Sequence, residues 1–386
     1  MLTIIEKYLD QVEGHHHTQI KAIESLSQRS DIKVLTAKNS GMVLQKISNI
    51  DCILSTREDR HKYPNNTIEH DIAVLEKNFR EQKSFRNTSI LIPSAEEHDF
   101  RVCIRLLTRN PNIAKFSLRV LNCRVIDSLS DAERRELTKC VQAGTITILT
   151  ETISLSELLK IKYNLIAKNL LLLPCTVNAS DTKNSRAHSM KNPRAHFKVG
   201  YLGGFRKEKG AEKLPIILTG LKKILNAYED KVSIEFIMPK ARFKSKLKLF
   251  IYNFRLIRSL RNSVKADRQI KLTYLENDLS PDLFVETIRS LDLLLIPYNL
   301  EKYHARGSGI IIDGVLAEKP IVYTQGIGMN EFLSFGNSEA ALNVKDFAPK
   351  IIKMIRNLAE YQSNTAKARK ALCAEIKRTS DFLRGI

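Results

Sequence analysis

The sequence predicts an α/β protein made of two doubly wound parallel sheets. Three observations predict it. Short apolar segments rich in Ile, Leu and Val alternate with amphipathic stretches of helical spacing, and they do so twice over. A polar stretch, "ASDTKNSRAHSMKNPRAHF" at residues 179 to 197, loses the alternation and separates the two runs. At 386 residues the chain also exceeds what one core usually serves, so two domains are expected.

In the first run "LTIIEKYL" reads as a strand, "DQVEGHHH" as a loop and "TQIKAIESLSQR" as a helix. Strands "DIKVLTA" and "DCILS" follow, then a charged helix from about Thr67 to Lys83 and the strand "SILIP". The run continues with helix "FRVCIRLLTR", strand "FSLRVLN", helix "SDAERRELTKCVQ", strand "TITILT", helix "SLSELLKIKY" and strand "NLLLLP". The second run has strand and glycine turn "FKVGYLGGF", helix "GAEKLPIILTGLKKILNAY", and strands "VSIEFIM", "IKLTYL" and "LDLLLIPY". Helix "SPDLFVETIRS" lies between the last two strands. "GIIIDGVLA" then reads as a helix, "PIVYT" as a strand, and the chain from about Ala348 as helical. The expected boundaries are a first domain at 1–180, a linker at 181–197, a second domain at 198–365 with an insert at 240–271, and a C-terminal helix at 366–386 that crosses back to the first domain. Strands apolar at nearly every position suit sheets covered on both faces, with ligands beyond the strand carboxyl ends, in a cleft that the two domains face.

Charge narrows the partners. A formal net charge of +20 and a pI near 9.6 point to a polyanion: nucleic acid, an anionic membrane face or phosphorylated small molecules. The six cysteines show no metal-ligand spacing and mostly lie in apolar runs, as reduced core residues of a cytoplasmic protein do. No apolar run approaches the roughly eighteen residues of a membrane span, and Glu6 and Lys7 interrupt the first apolar stretch too early for a secretory signal.

Two stretches expected beyond strand ends carry chemistry suited to a diphosphate. In "GYLGGFRKEKG", Gly203 and Gly204 permit close backbone approach, and Arg206 and Lys209 supply charge. A plain turn with solvated lysines remains the alternative. In "ARGSGIIIDG", Arg306, Gly307, Ser308 and Gly309 open a helix whose first-turn amides lack intrahelical acceptors. Ser308 would touch the anion or simply cap the helix. Asp313, one turn on, would accept from ribose hydroxyls or else be solvated.

"VGYLGGFRKEKG", "SLDLLLIPY" and "SGIIIDGVLAEKPIVYT" followed by "GIGMNE" together resemble the donor half of GT-B glycosyltransferases, family 4 in particular. "IIEKYLDQVEGHHHTQIKAIESL" resembles the opening strand, glycine loop and helix of the same enzymes. The resemblance implies two Rossmann-like domains and sugar transfer from a nucleotide sugar. Arg206 and Lys209 match the basic pair on the diphosphate, Gly307 to Gly309 the backbone that meets it, and Asp313 the second glutamate of an E-x7-E motif. The first glutamate position falls on Ala305, a departure that leaves the sugar and the stereochemistry open. Glu331, after "GIGMN", and Gly14, in the first loop, match donor-bordering positions. The resemblance also suggests bacterial surface polysaccharide assembly.

"GHHHT" at 14–18 offers His16 as a general base facing an acceptor, with solvated or structural histidines as the alternative. Adjacent histidines do not readily converge on one ion, so no metal is expected there. Glu96, Thr150 and Glu151 end first-domain strands and are candidate acceptor contacts. The sequence has no D-x-D motif, so cations and amides are expected to replace a metal, and no cofactor is expected beyond the nucleotide sugar. Residues 240–271 hold eleven lysines and arginines against Asp267. Apolar residues at helical spacing within them suit either an anionic membrane surface or packing on their own domain. A membrane-peripheral enzyme with a glycan or lipid-linked acceptor would fit. A non-catalytic relative of such transferases and a basic nucleic-acid binder are the rivals, although no nucleic-acid module is recognisable.

Overall fold

The computed structural model describes residues 2–9, 16–42, 49–81, 89–172, 177, 196–227, 232–240, 247–265, 267–276 and 279–386. Gly14 and Cys175 lie outside them. The chain divides into two compact units. Unit 1 is Met1–Pro174 with Ala305–Gly307 and Glu375–Ile386; unit 2 is Cys175–His304 with Ser308–Ala374.

Unit 1 contains β1 (Leu2–Ile5), α1 (His16–Ser27), β2 (Ile32–Ala37), β3 (Ile50–Leu54), α2 (Arg57–Lys62), α3 (Pro64–Glu81), β4 (Ser89–Ile92), α4 (Glu97–Arg109), β5 (Lys115–Arg119), α5 (Arg124–Asp127), α6 (Asp131–Gln142), β6 (Ile146–Thr150), α7 (Ile153–Tyr163) and β7 (Ala167–Asn169). Its seven strands pair in parallel in the order β3-β2-β1-β4-β5-β6-β7. The apolar residues of these strands feed two core clusters. One packs Ile90, Phe116 and Ile148 with Ile72, Phe100 and Leu159 of the helices. The other joins Ile4, Val34 and Leu149 to Ile20, Ile23 and the C-terminal Leu383.

Unit 2 contains β8 (His196–Gly200), α8 (Leu214–Ala227), β9 (Ser233–Pro239), α9 (Leu247–Ser263), β10 (Ile270–Leu275), α10 (Pro281–Ser290), β11 (Leu293–Ile296), α11 (Leu300–Tyr303), α12 (Gly309–Leu316), β12 (Ile321–Thr324), β13 (Ser338–Ala341), α13 (Phe347–Arg356) and most of α14 (Leu358–Gly385). Its six strands are parallel in the order β10-β9-β8-β11-β12-β13. Both sheets reverse their winding beside the first strand of the unit: at β1/β4 in unit 1 and at β8/β11 in unit 2. The fold class read from the sequence is therefore the one observed.

Local expectations differ from the structure in a few places. The charged helix expected at 67–83 is α3, which begins earlier, at Pro64, and a further helix not read from the sequence, α2, precedes it. Thr56 and Asp59 close a capping box that starts α2, and Pro64, which has no N–H to give, begins α3. The last strand of unit 1 ends at Asn169 rather than running through Leu172, because the Leu171 N–H donates to the Thr379 hydroxyl instead of a ladder carbonyl (3.0 Å). The helical stretch expected from Ala348 is observed, divided at Asn357 into α13 and α14. Of the five described cysteines, all free, Cys103 is buried in the core of unit 1, Cys123 and Cys140 pack partly buried against that core, and Cys52 and Cys373 are half-buried. β13, not read from the sequence, is a short edge strand.

Among the described residues no helix is long and apolar enough to cross a membrane.

One buried carboxylate ties the far side of unit 2 together. Glu339 accepts from Lys350 Nζ and Lys353 Nζ, each at 2.6 Å, and from the Tyr361 hydroxyl. Burial pushes its carboxyl up, but these donors outweigh burial and hold it at about 2, against an ordinary 4.5. A depressed folded-state value gives stability that is complete above about 4.5 and fades as the pH falls towards about 2. Glu339→Gln should remove that dependence. Acid denaturation of the variant, followed by circular dichroism, is expected to show a flatter stability curve over that window than the native chain.

Candidate functional site

The loops that leave the two switch points hold several buried polar groups. In unit 2, β8 is followed by Tyr201 to Gly204 and by a short 3-10 turn, Lys207–Lys209. Gly210 ends that turn at φ +79°, where a Cβ would stand 1.9 Å from the Pro297 carbonyl oxygen, so only glycine fits. Gly203 leaves similar room: its absent Cβ would come within 3.1 to 3.3 Å of Lys209 and Tyr298.

Lys209 is thereby drawn under two aromatic rings. Its Nζ donates to the Tyr298 hydroxyl (3.2 Å) and lies 4.9 and 5.9 Å from the ring centres of Tyr298 and Tyr303. Those rings pack at 4.4 Å. The Tyr298 hydroxyl in turn stands 3.3 Å from Ser308 Oγ at the start of α12. Lys209, Tyr298 and Ser308 thus form one connected line from the glycine loop to a helix N-terminus, with Gly309 as the first helical residue.

Ser308 is the cap residue by position, but its side chain accepts no capping hydrogen bond, so the plain N-cap reading is corrected. Its buried N–H donates to Met329 Sδ at 3.1 Å. Asp313 is buried, which removes the solvated reading, and it accepts the Val177 N–H at 2.9 Å. Arg206 is not drawn in with Lys209. Its side chain is 55% exposed and pairs with Glu208 at 3.5 Å. Glu331 is half-buried in a 3-10 turn that follows Met329, itself at φ +69°. Arg306 is exposed and Gly307 half-buried, and both belong to unit 1.

In unit 1, the residues after β1 are Glu6, Lys7 and Tyr8, all buried. Lys7 Nζ lies 2.5 Å from Asp99. His16, the first residue of α1, sets Nδ1 at 3.1 Å from Glu6 and packs its ring 5.1 Å from Tyr8. Glu96, the half-exposed cap of α4, accepts from the Tyr8 hydroxyl. Burial and that bond both push the Tyr8 hydroxyl pKa upward.

Thr150 and Glu151, the other candidate acceptor contacts, are both buried. Thr150 is fully buried and bonded to Ser156 Oγ (2.8 Å), while Glu151 is buried against Arg119 at 2.5 Å. Burial pushes Glu151 up to about 7 against the opposing pull of Arg119 and Arg306. Ala305, at the departed glutamate position, packs in the apolar cluster of unit 1, and its carbonyl accepts from Thr152 (2.8 Å).

The sequence reading missed Lys7, Tyr8, Tyr298 and Tyr303. Only "PY" and "KY" just past β11 hinted at the last two. Among the described residues no group of three or more His, Cys, Asp or Glu could hold a metal ion.

No protein-family model matches the chain, and no curated protein does. Solved structures do. A glycosyltransferase from Rickettsia africae ESF-5 is similar at TM-score 0.69 and 11% identity, over 100% of this chain and 97% of that one. The trehalose-6-phosphate synthase OtsA is similar at TM-score 0.67 and 12% identity, over 100% and 99%. Anabaena Alr3699/HepE in complex with UDP is similar at TM-score 0.63 and 11% identity, over 100% and 97%. At such identities the likeness establishes the fold: two Rossmann-like units, as in GT-B glycosyltransferases.

Proposed function

We propose that the chain is a glycosyltransferase that moves a sugar from a nucleotide-diphosphate sugar to an acceptor. The connection of Lys209, Tyr298 and Ser308 at the switch point of unit 2 carries this reading. It sets a cation, a hydroxyl pair and the N-terminus of α12, where the Gly309 and Ile310 N–H groups precede the first intrahelical bonds, beside a glycine loop, which is what a diphosphate needs. UDP is the first nucleotide to test, since HepE binds it in a structure of the same fold.

When the anomeric C–O bond breaks, negative charge builds on the departing diphosphate. Lys209 and the α12 amides would stabilise it, with Arg206 swinging in from its exposed position. Such groups act without a metal, and a positioned cation or amide of this kind is worth about 10²–10³ in rate. Unit 1 would hold the acceptor, with His16 and Glu96 nearest the open end of β1. A glycan or lipid-linked acceptor from bacterial surface polysaccharide assembly is the class proposed. Arg206→Ala with Lys209→Ala is expected to weaken UDP binding at least about tenfold, as loss of charge-assisted bonds does. Isothermal titration with UDP, GDP and ADP reads this. Unchanged UDP affinity in the double variant would refute the donor assignment.

The basic insert supports a peripheral membrane position. α9 turns Asn253, Leu256 and Leu260 inward, with Leu256 and Leu260 in the unit 2 core. Its opposite side leaves Phe250, Ile251 and Phe254 at 47%, 40% and 55% exposure, close to the exposed Arg255 and Arg258. Aromatic residues among arginines suit an anionic lipid interface, where each cation contributes about 1 kcal/mol. Phe250→Ser with Phe254→Ser is expected to reduce co-sedimentation with phosphatidylglycerol-containing vesicles while phosphatidylcholine vesicles recover little of either protein. Equal recovery on both vesicle types by the native chain would remove the membrane role.

A further inference from the structure

The switch point of unit 1 holds two arginines that form no ion pair among the described residues. Each carboxylate there faces a counter-group. Lys7 Nζ lies 2.5 Å from Asp99 and 3.9 Å from Glu96, the Tyr8 hydroxyl donates to Glu96, and Glu6 faces His16 at 3.1 Å. The two arginines come from α2, which follows β3. Arg57 and Arg60 bring their guanidinium carbons to 5.5 and 5.6 Å from the centre of the Tyr8 ring. The acids beside them on α2 are engaged elsewhere: Asp59 closes the capping box with Thr56, and Glu58 pairs with Lys62 at 2.5 Å.

Among the described residues neither arginine enters an ion pair, and both Nη atoms of Arg60 are shielded from water without a hydrogen-bond acceptor. A shielded, unpaired guanidinium is costly. Its planar fork, steadied over an aromatic ring, matches the terminal oxygens of a phosphate. A phosphate with several free oxygens can engage both forks at once, and a crevice beyond strand ends at a switch point is where such sheets take ligands.

We propose that Arg57 and Arg60, seated on Tyr8, bind a phosphate group of the acceptor, so that the acceptor is a phosphorylated sugar or a glycan on a lipid diphosphate rather than a neutral glycan. The word acceptor rests on the transferase reading; the phosphate site itself does not.

Isothermal titration of the full chain tests it, with glucose 6-phosphate as the sugar-phosphate probe and farnesyl diphosphate as a soluble stand-in for a lipid diphosphate. The native chain is expected to bind one of the two, and which one binds identifies the source. Arg57→Gln with Arg60→Gln should weaken that binding at least about tenfold, whereas Arg206→Gln with Lys209→Gln should leave it unchanged and weaken UDP instead. Arg60→Lys, which keeps the charge and loses the fork, should show much of the loss with an unaltered thermal melt. That variant decides the matter should the double substitution fail to fold. Binding of neither probe by the native chain, equal binding by the folded arginine variants, or loss only in the Arg206 and Lys209 variant would each overturn the proposal. A probe held through Arg57 and Arg60 by a chain that takes no nucleotide would sink the transferase reading and leave the phosphate site standing.

Discussion

The site residues of this chain depend on where a parallel sheet changes its winding direction. Parallel neighbours cannot be joined by a tight turn, so each connection crosses one face of the sheet. Where two adjacent strands send their connections to opposite faces, the loops beyond their carboxyl ends diverge and leave a crevice. β1 and β4 do this in unit 1, and β8 and β11 in unit 2. Glu6 to Tyr8 and Glu96 to Asp99 leave one such point; Tyr201 to Gly204 and Pro297 to Tyr298 leave the other. The apolar strands behind them supply rigidity. Leu293 and Leu294 register against Val199 and Gly200, and the absent Cβ of Gly200 would collide with Leu291, so the strand pair sets the loops closely.

Burial at these points raises an electrostatic problem that the two units handle differently. Unit 1 neutralises its buried charges directly, through Lys7 with Asp99, Arg119 with Glu151, and Asp71 with His98 at 2.8 Å. Removing one partner of such a pair leaves an uncompensated charge, which costs more than the pair contributes. Unit 2 instead holds Lys209 against aromatic faces and a hydroxyl. Arg57 and Arg60 share an aromatic seat on Tyr8 and, among the described residues, form no ion pair with a carboxylate.

Much of the fold was legible because buried parallel strands are apolar at nearly every position, and that signal is local. α2 was missed because it is encoded by the Thr56 and Asp59 capping box in a stretch with little apolar periodicity. On the site, glycines and cations just past a strand marked Gly203, Lys209 and Ser308 without any tertiary information. Tyr298 and Lys7 were hidden because they continue apolar runs and read as core. The meeting of Tyr8 with Arg57 and Arg60 spans about fifty residues of sequence, and no local pattern could disclose it. Arg206 is the converse case: its sequence context suggests a diphosphate contact, and in the structure its guanidinium pairs with Glu208.

Ala305 shows how far the resemblance can be carried. In the family pattern a carboxylate at that position faces the donor sugar. Here the residue is 8% exposed, belongs to an apolar cluster with Leu155 and Leu159, and gives its carbonyl to Thr152. A charge would be costly in that setting, so the local packing, and not only the side chain, has moved away from the motif. Asp313 keeps the second carboxylate, but its Oδ1 is committed to the Val177 N–H. What remains of the motif is therefore the helix terminus itself, with its amides, its glycines and the line through Tyr298 to Lys209. Under the proposed function, the burden of gripping a leaving diphosphate would fall on groups that carry or complement positive charge, in keeping with a chain whose net charge is +20.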